Sequence, residues 1–416
     1  MKFLHCADAH LDSPLRGLER YDGAPAAQIR GATRQAFERV IDLAISEQVD
    51  FVLIAGDIYD GDWKDYNTGL YFAARMSKLR EADIRVFIIH GNHDAASQIT
   101  KSLRLPDNVR VLSDREPESI RLDDLGVVIH GQGFSKRTLA ENISEHYPPA
   151  SQDFYNIGML HTSATGRPGH ETYAPCNVED LLEKGYDYWA LGHVHAREVL
   201  HQEPWIVFPG NLQGRHIRET GPKGPSLVTV EEGHVPSVEH HDTDVLRWCL
   251  CEVDASGISD VDGVIDCIRT AIAAEVSRSE GRLLAVRVQV SGACAAHTAL
   301  VADPHKWTAE VRSAATDLGD VWIEKVKFQT SLKVDLKAML QRDDPLGRLV
   351  SAIHELDKKP ELLDELASEL DDLQRKLPAE LRPGDSLLGD AVARHEVLEE
   401  VRQILLPRLL SIQTTR

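Results

Sequence analysis

Phe51-Val52-Leu53-Ile54-Ala55-Gly56-Asp57 is the stretch on which the fold turns. Its five apolar residues are too few for a buried helix and stop at a glycine and a carboxylate, which reads as a strand covered on both faces, as in a parallel sheet. The pattern recurs on either side. Phe3-Leu4 runs into Asp8-Ala9-His10, and Arg85-Val86-Phe87-Ile88-Ile89 runs into Gly91-Asn92-His93-Asp94. Helical periodicity through Ala36, Val40 and Leu43, and again from about Tyr71 to Arg80, fills the gaps. The unit is β-α-β-α-β, and in such sheets ligands gather at the carboxyl ends of the strands. Three strands thus bring carboxylate, imidazole and amide groups to one edge.

Beyond Val109 the strands crowd together: Val109 to Leu112, Ser119 to Leu122, Gly126 to His130, Ile157 to His161, Tyr188 to Leu191, Ile206 to Phe208, Leu227 to Val230 and Val235 to His240, with one helix near Val178 to Lys184. That many strands in one layer would leave long exposed edges, so two packed sheets flanked by helices are expected, a layered α/β sandwich. A second unit starts near Val245: strand Trp248 to Val253, helix Val261 to Val276, alternating strand Leu283 to Val290, helix Lys306 to Leu318, strand Val321 to Phe328. After Leu336 only helical signals remain. The expected domains are therefore a sandwich over 1–243, a small α/β capping domain over 244–335 and a helical tail over 336–416. In the tail Leu363, Leu366, Leu370, Leu373 and Leu377 form a stripe between Pro360 and Pro378, and a last helix spans about Ser386 to Leu406. The stripe reads either as intramolecular core or as a partner contact.

At 416 residues, two or three domains are the natural count. No apolar run reaches the roughly 18 to 20 residues of a membrane-spanning helix, and Met1-Lys2-Phe3-Leu4-His5-Cys6 lacks the apolar stretch of a signal peptide, so a cytoplasmic location without membrane association is expected. Six scattered cysteines, with no C-x-x-C pair, indicate neither a disulfide framework nor a zinc ribbon. Lys and Arg total 46 against 66 Asp and Glu, and the resulting net charge of −20 opposes tight autonomous binding to a polyanion. Any nucleic-acid path must therefore be local. The sequence contains no G-x-x-x-x-G-K-[ST], so ATP dependence would have to come from another subunit.

Two further blocks complete the chemistry. His161 ends a predicted strand, and Gly192-His193-Val194-His195 follows Tyr188-Trp189-Ala190-Leu191. One D-x-H after a strand is usually a capped turn; five blocks at five strand ends reverse that reading. Oxygen and imidazole donors without thiolates suit Mn²⁺, Fe²⁺ or Zn²⁺ rather than a zinc finger or a calcium cage. The donors outnumber what one ion can take.

The ordered set D-x-H, G-D-x-x-D, G-N-H-D, a lone His and G-H-x-H resembles the calcineurin-like metallophosphoesterase family over roughly Met1 to His240. Within it, His5-Cys6-Ala7-Asp8-Ala9-His10-Leu11-Asp12-Ser13-Pro14-Leu15 and Phe208-Pro209-Gly210-Asn211-Leu212-Gln213-Gly214-Arg215 resemble SbcD-type DNA-repair exonucleases, nearest the YhaO-like bacterial branch. The resemblance implies a metallophosphoesterase sandwich with two divalent ions, Mn²⁺ by expectation. Asp8, His10, Asp57 and His195 would hold one ion, and Asp57, Asn92, His161 and His193 the other, with Asp57 bridging. It implies that His93 is no ligand but assists proton transfer to the leaving oxygen, a task that suits an imidazole near neutral pKa. Asp94 would orient His93 or a ligand by hydrogen bonding. Asp60 stands where some relatives carry a His, which puts a proton-handling role there in doubt. Arg215 and His216, after the Gly210-Asn211 turn, are placed where a phosphate could be met.

The implied activity is Mn²⁺-dependent 3′ to 5′ DNA exonuclease, with endonuclease activity, in DNA repair. The implied partners are DNA, a coiled-coil ATPase docked on the helical tail and a second copy of the chain. Two alternatives stand beside it: a phosphodiesterase or phosphatase of small phosphoesters or cyclic nucleotides, which an acidic protein handles more readily, and a binding subunit whose main task is to engage the ATPase. Removing residues 337–416 is expected to abolish capture of such an ATPase while leaving hydrolysis intact; a shortened chain that still captures it would take the tail out of the interface.

Overall fold

The computed structural model describes residues 1–13, 26–60, 66–95, 103–164, 173–232, 234–332 and 341–355. The leucine stripe Leu363 to Leu377 and the helix expected over Ser386 to Leu406 lie outside them. The first sheet contains β1 (Lys2–Cys6), β2 (Phe51–Ala55), β3 (Arg85–Ile89) and β4 (Val109–Val111), with β11 (Ser226–Glu231) and β12 (His234–His240) on its other side, in the order β12-β11-β1-β2-β3-β4. β1 to β4 are parallel, and β11 turns antiparallel against β1. The second sheet runs β5-β6-β7-β8-β10-β9, built from β5 (Glu118–Leu122), β6 (Val127–Gln132), β7 (Tyr155–His161), β8 (Tyr188–Gly192), β9 (Glu198–Gln202) and β10 (Trp205–Phe208).

The β2 stretch is apolar throughout because both its faces are covered. Phe51, Leu53 and Ala55 face the second sheet, where Ile129, Ile157, Met159, Tyr188 and Ala190 meet them with Phe3 and Phe87. Phe3 stacks on Phe51 with ring centres 5.1 Å apart and meets Tyr188 edge-on at 5.2 Å. Val52 and Ile54 face the other way, onto Phe37, Val40 and Ala44 of α1 (Ala26–Ser46) and Phe72, Met76 and Leu79 of α2 (Tyr66–Glu81). The outer face of the second sheet is closed by Trp189, Leu191, Ile206 and Phe208 against Tyr147, Tyr186 and Leu181 of α4 (Val178–Leu182). Two large sheets with helices on their outer faces are the layered sandwich expected.

The strands read from the sequence recur with ends shifted by up to three residues. β9 was not expected, since Glu198-Val199-Leu200-His201-Gln202 forms a half-buried edge whose side chains show no clean alternation. The short helix α3 (Asn92–Ala95) and a 3₁₀ turn at Ile143–His146 were also missed, because elements of four residues carry too little periodicity to see.

A three-stranded sheet, β13 (Leu246–Asp254), β14 (Leu283–Ala293) and β15 (Val321–Ser331), accompanies α5 (Val261–Arg278), α6 (His297–Ala302), α7 (Pro304–Thr316) and α8 (Pro345–His354). The chain divides into two compact units: Met1–Leu250 with Ala274–Arg287 and Leu318–Glu324, and Cys251–Ala273 with Val288–Asp317 and Lys325–Arg416. No disulfide joins the six cysteines, of which only Cys267 is exposed. No helix among the described residues is long and apolar enough to cross a membrane.

Trp189 carries much of the outer layer of the second sheet. It is fully buried, stacks on Tyr186 at 4.9 Å and donates its indole N–H to the Leu181 carbonyl at 3.2 Å. Trp189→Ala is expected to destabilise the protein by about 3–5 kcal/mol, the cost of truncating a large aromatic in a packed core. Urea unfolding checks this, and an unchanged midpoint would mean that this layer is not tightly packed.

Candidate metal centre

The turns after β1, β2 and β8 leave their strands through left-handed backbone, unusual for residues with a Cβ. Asp8 has φ 52°, His10 41°, Asp57 53° and His193 97°. The strain is held by hydrogen bonds between turns, as the Asp8 amide donates to the Gly56 carbonyl and the His10 amide to that of Asp57, each at 3.0 Å. Functional sites are where such strain concentrates. Gly192 is required by space: a Cβ there would run into the Ala55 carbonyl.

The side chains these turns project are almost wholly buried: Asp8, His10, Asp57, Asn92 and His161 are each no more than 3% exposed, with His193 and His195 half-buried. They fall into overlapping groups. Donor atoms of Asp8, His10 and His195 lie within 4.8 Å of one another, as do those of Asp57, His161 and His193, and those of His10, Asp60 and His93. His10 Nε2 is 3.2 Å from His195 Nε2, and His161 Nε2 is 3.0 Å from Asn92 Oδ1. Asp57 sits between the groups, its Oδ2 being 3.4 Å from His161 Nε2 and 4.0 Å from His10 Nε2.

Burial pushes the Asp8 carboxyl up to about 6, with His195 and His161 pulling it back. Burial would raise Asp57 too, but the His161 ring beside it holds it well below the ordinary carboxylate range. Burial would lower His161, and Asp57 and Asp8 outweigh that and raise it to about 9. His10 is lowered to about 3, chiefly by burial. Two buried carboxylates beside converging imidazoles fit divalent cations: the set is oxygen and nitrogen without thiolate. The buried His10 Nδ1 faces the Asp60 carboxylate at 3.7 Å.

The surrounding residues orient these donors. His161 Nδ1 meets the Ala55 carbonyl at 2.9 Å, which leaves Nε2 as the donor nitrogen. His195 Nδ1 meets Glu219 Oε1 at 2.7 Å. Asp94 does not bond to His93 itself; its carboxylate accepts from the Tyr59 and Gly91 amides at 3.0 Å and the Ile58 amide at 3.2 Å, stapling the second and third turns together. His93 donates its amide to Asp57 Oδ1 at 2.9 Å, while its ring Nδ1 lies 3.0 Å from Asp60 Oδ1 and the side chain is one-third exposed. The Asp60 contact raises the pKa of His93 against the opposing effect of burial.

The Arg215 guanidinium is 3.3 Å from Glu219 Oε1, 3.4 Å from Ser13 Oγ and 4.0 Å from Asp60 Oδ2, at the rim of the same cluster. His216 points to solvent, its ring 3.6 Å from Glu219. Lys223 donates to the His195 carbonyl at 3.0 Å. Glu219 went unnoticed in the sequence. The only available signal was a lone carboxylate among Arg215, His216, Arg218 and Lys223.

Residues 1–197 match the calcineurin-like phosphoesterase family, and residues 248–331 match the middle domain of the metallophosphoesterase YhaO. The "uncharacterized metallophosphoesterase YhaO" of Bacillus subtilis (strain 168) is 31% identical over 429 residues, spanning 100% of this chain and 99% of that protein. The chain belongs to the YhaO-type calcineurin-like metallophosphoesterases. This phosphoesterase is also 24% identical over 274 residues to the "DNA double-strand break repair protein Mre11" of Sulfurisphaera tokodaii, covering 62% of this chain and 67% of that one. The Mre11 protein of Methanopyrus kandleri is 29% identical over 289 residues, covering 62% and 60%. Enzymes of the family bind two divalent metals, and this phosphoesterase is a metal-dependent hydrolase of phosphoesters.

If Asp57 serves both groups, Asp57→Ala is expected to reduce bound metal from two equivalents to one or none. Elemental analysis of the purified variant checks this; two retained equivalents would remove Asp57 from the bridging position.

Proposed function

We propose that this phosphoesterase hydrolyses phosphodiester bonds of DNA, acting from the 3′ end toward the 5′ end with Mn²⁺ as the working metal, with endonuclease activity, in DNA repair. The observation that carries the reading is the His93–Asp60 pair at the partly exposed edge of the buried donor cluster, 3.0 Å apart. A diester linkage needs its leaving oxygen protonated, and a histidine held by a carboxylate is suited to that step. The DNA substrate is supported by the Mre11 relatives: the match to the Sulfurisphaera tokodaii protein takes in 62% of this 416-residue chain, more than the 197 residues of the phosphoesterase match.

Asp8, His10, Asp57 and His195 would hold one metal, and Asp57, Asn92, His161 and His193 the other, with Asp57 shared between them. Divalent ions held by these residues would supply charge stabilisation for the attacking and leaving oxygens of an in-line phosphoryl displacement. The chain's own residues do the rest. Asp60 takes His93 Nδ1, so Nε2 is the atom that carries the proton to the departing 3′ oxygen. Ser13 Oγ donates to Asp60 at 2.7 Å and fixes that carboxylate. Arg215, held between Glu219 and the Asp60 side, supplies positive charge for a phosphate oxygen, with His216 further out. The net charge of −20 fits a DNA path confined to this neighbourhood, with metals and a coiled-coil ATPase partner supplying positive potential; by the family resemblance, that partner docks through residues 336–416 and a second copy of the chain completes the assembly. The same charge favours the competing reading, hydrolysis of small phosphoesters or cyclic nucleotides.

Double-stranded DNA labelled at the 3′ or the 5′ end, incubated with the protein in Mn²⁺, separates these readings. Stepwise shortening from the 3′ end is expected. His93→Ala is expected to cut the rate by about two orders of magnitude or more with metal content nearly unchanged. Intact DNA beside rapid hydrolysis of small diesters would make small phosphoesters the substrate, and loss of metal from the variant would make His93 a ligand.

A further inference from the structure

Glu219 is a heavily engaged carboxylate outside the donor cluster. It is 6% exposed, and its two oxygens divide their work. Oε1 takes His195 Nδ1 at 2.7 Å and the Arg215 guanidinium at 3.3 Å; the guanidinium is also 3.3 Å from Nδ1, and the much shorter carboxylate contact is the one that sets which ring nitrogen carries the proton. Oε2 accepts the Arg215 main-chain amide at 2.7 Å and the Asn211 amide nitrogen at 3.0 Å. A carboxylate this deep is retained where its hydrogen bonds are satisfied, and here all its partners can donate.

We infer that Glu219 is a positioning residue that fixes His195 with its proton on Nδ1, so that Nε2 is presented to the metal, and that sets Arg215 beside it. The inference rests on the metal reading of the site. His195 Nε2 lies 3.2 Å from His10 Nε2 and 3.9 Å from Asp8 Oδ1, among the donors of one group only, so the effect of Glu219 is confined to that group. A glutamine amide cannot reproduce the arrangement. With its oxygen toward His195, its NH₂ faces two further donors, the Arg215 amide and the Asn211 side chain. With its oxygen toward those, its NH₂ faces His195 Nδ1 and drives the proton to Nε2, where it blocks ligation. Outer partners of this kind are worth about 10- to 100-fold in metal affinity.

The test is calorimetric Mn²⁺ titration of the full-length chain as wild type, Glu219→Gln, His195→Ala and the double variant. Wild type is expected to bind two ions. Glu219→Gln is expected to weaken one of them by about 10- to 100-fold and leave the other unchanged. In the His195→Ala background Glu219→Gln should cost nothing more, since it acts through the ring already removed. Unchanged affinity in Glu219→Gln, or an additive loss in the double variant, overturns the inference and leaves the metal reading standing. Fewer than two ions in wild type overturns both. If circular dichroism shows Glu219→Gln unfolded, the wild type labelled with ¹⁵N-histidine decides by NMR: a metal-free His195 protonated at Nδ1 supports the assignment, and one protonated only at Nε2 overturns it.

Discussion

The burial of two aspartates, Asp8 and Asp57, each 1% exposed and set where the sheets meet, is the constraint that organises the first unit. Charge removed from water is costly unless it is paired, hydrogen-bonded or bound to metal. Each surrounding feature answers that cost. Imidazoles from β7 and the turn after β8 close around the carboxylates, amides of His93 and His193 donate to them, and Asp94 ties the turns so that none can relax outward. The left-handed backbone at Asp8, His10, Asp57 and His193 persists because this network over-determines it.

The sandwich brings the ends of two sheets into register over that cluster. Packing of Phe3, Phe51 and Tyr188 sets the spacing of the layers, and β7 and β8 are aligned so that His161 pairs with Gly192. The absent side chain at Gly192 lets the second sheet approach the Ala55 carbonyl. Packing of apolar faces thus fixes where polar donors meet. A metallophosphoesterase needs that rigidity, because its donors must be placed before any ion binds.

An outer layer of carboxylates divides the labour around the centre. Asp94 serves the backbone, Asp60 serves His93 and Ser13, and Glu219 serves His195 and Arg215. Each is held by hydrogen bonds from a different turn. The excess of acid in the composition coexists with a local concentration of cationic groups at this rim, where Arg215 and Lys223 approach the His195 turn.

Much of this was legible in the sequence because its signals are local. A run such as Phe51 to Ala55 can only be a doubly covered strand, and the polar residues after it must then lie at a sheet edge; that reasoning located Asp8, His10, Asp57, Asn92, His161, His193 and His195 one strand at a time. The tertiary structure decided what has no periodicity. Glu219 lies 24 residues from His195, and Asp60 lies 33 from His93, so nothing in the chain between them marks the pairs. The edge strand β9 carries no alternation because it has only one neighbour and a half-wet face. Residue type and strand position determine which donors the protein offers, whereas their partners are chosen by the packing of loops, and loops leave no repeat in a sequence to read.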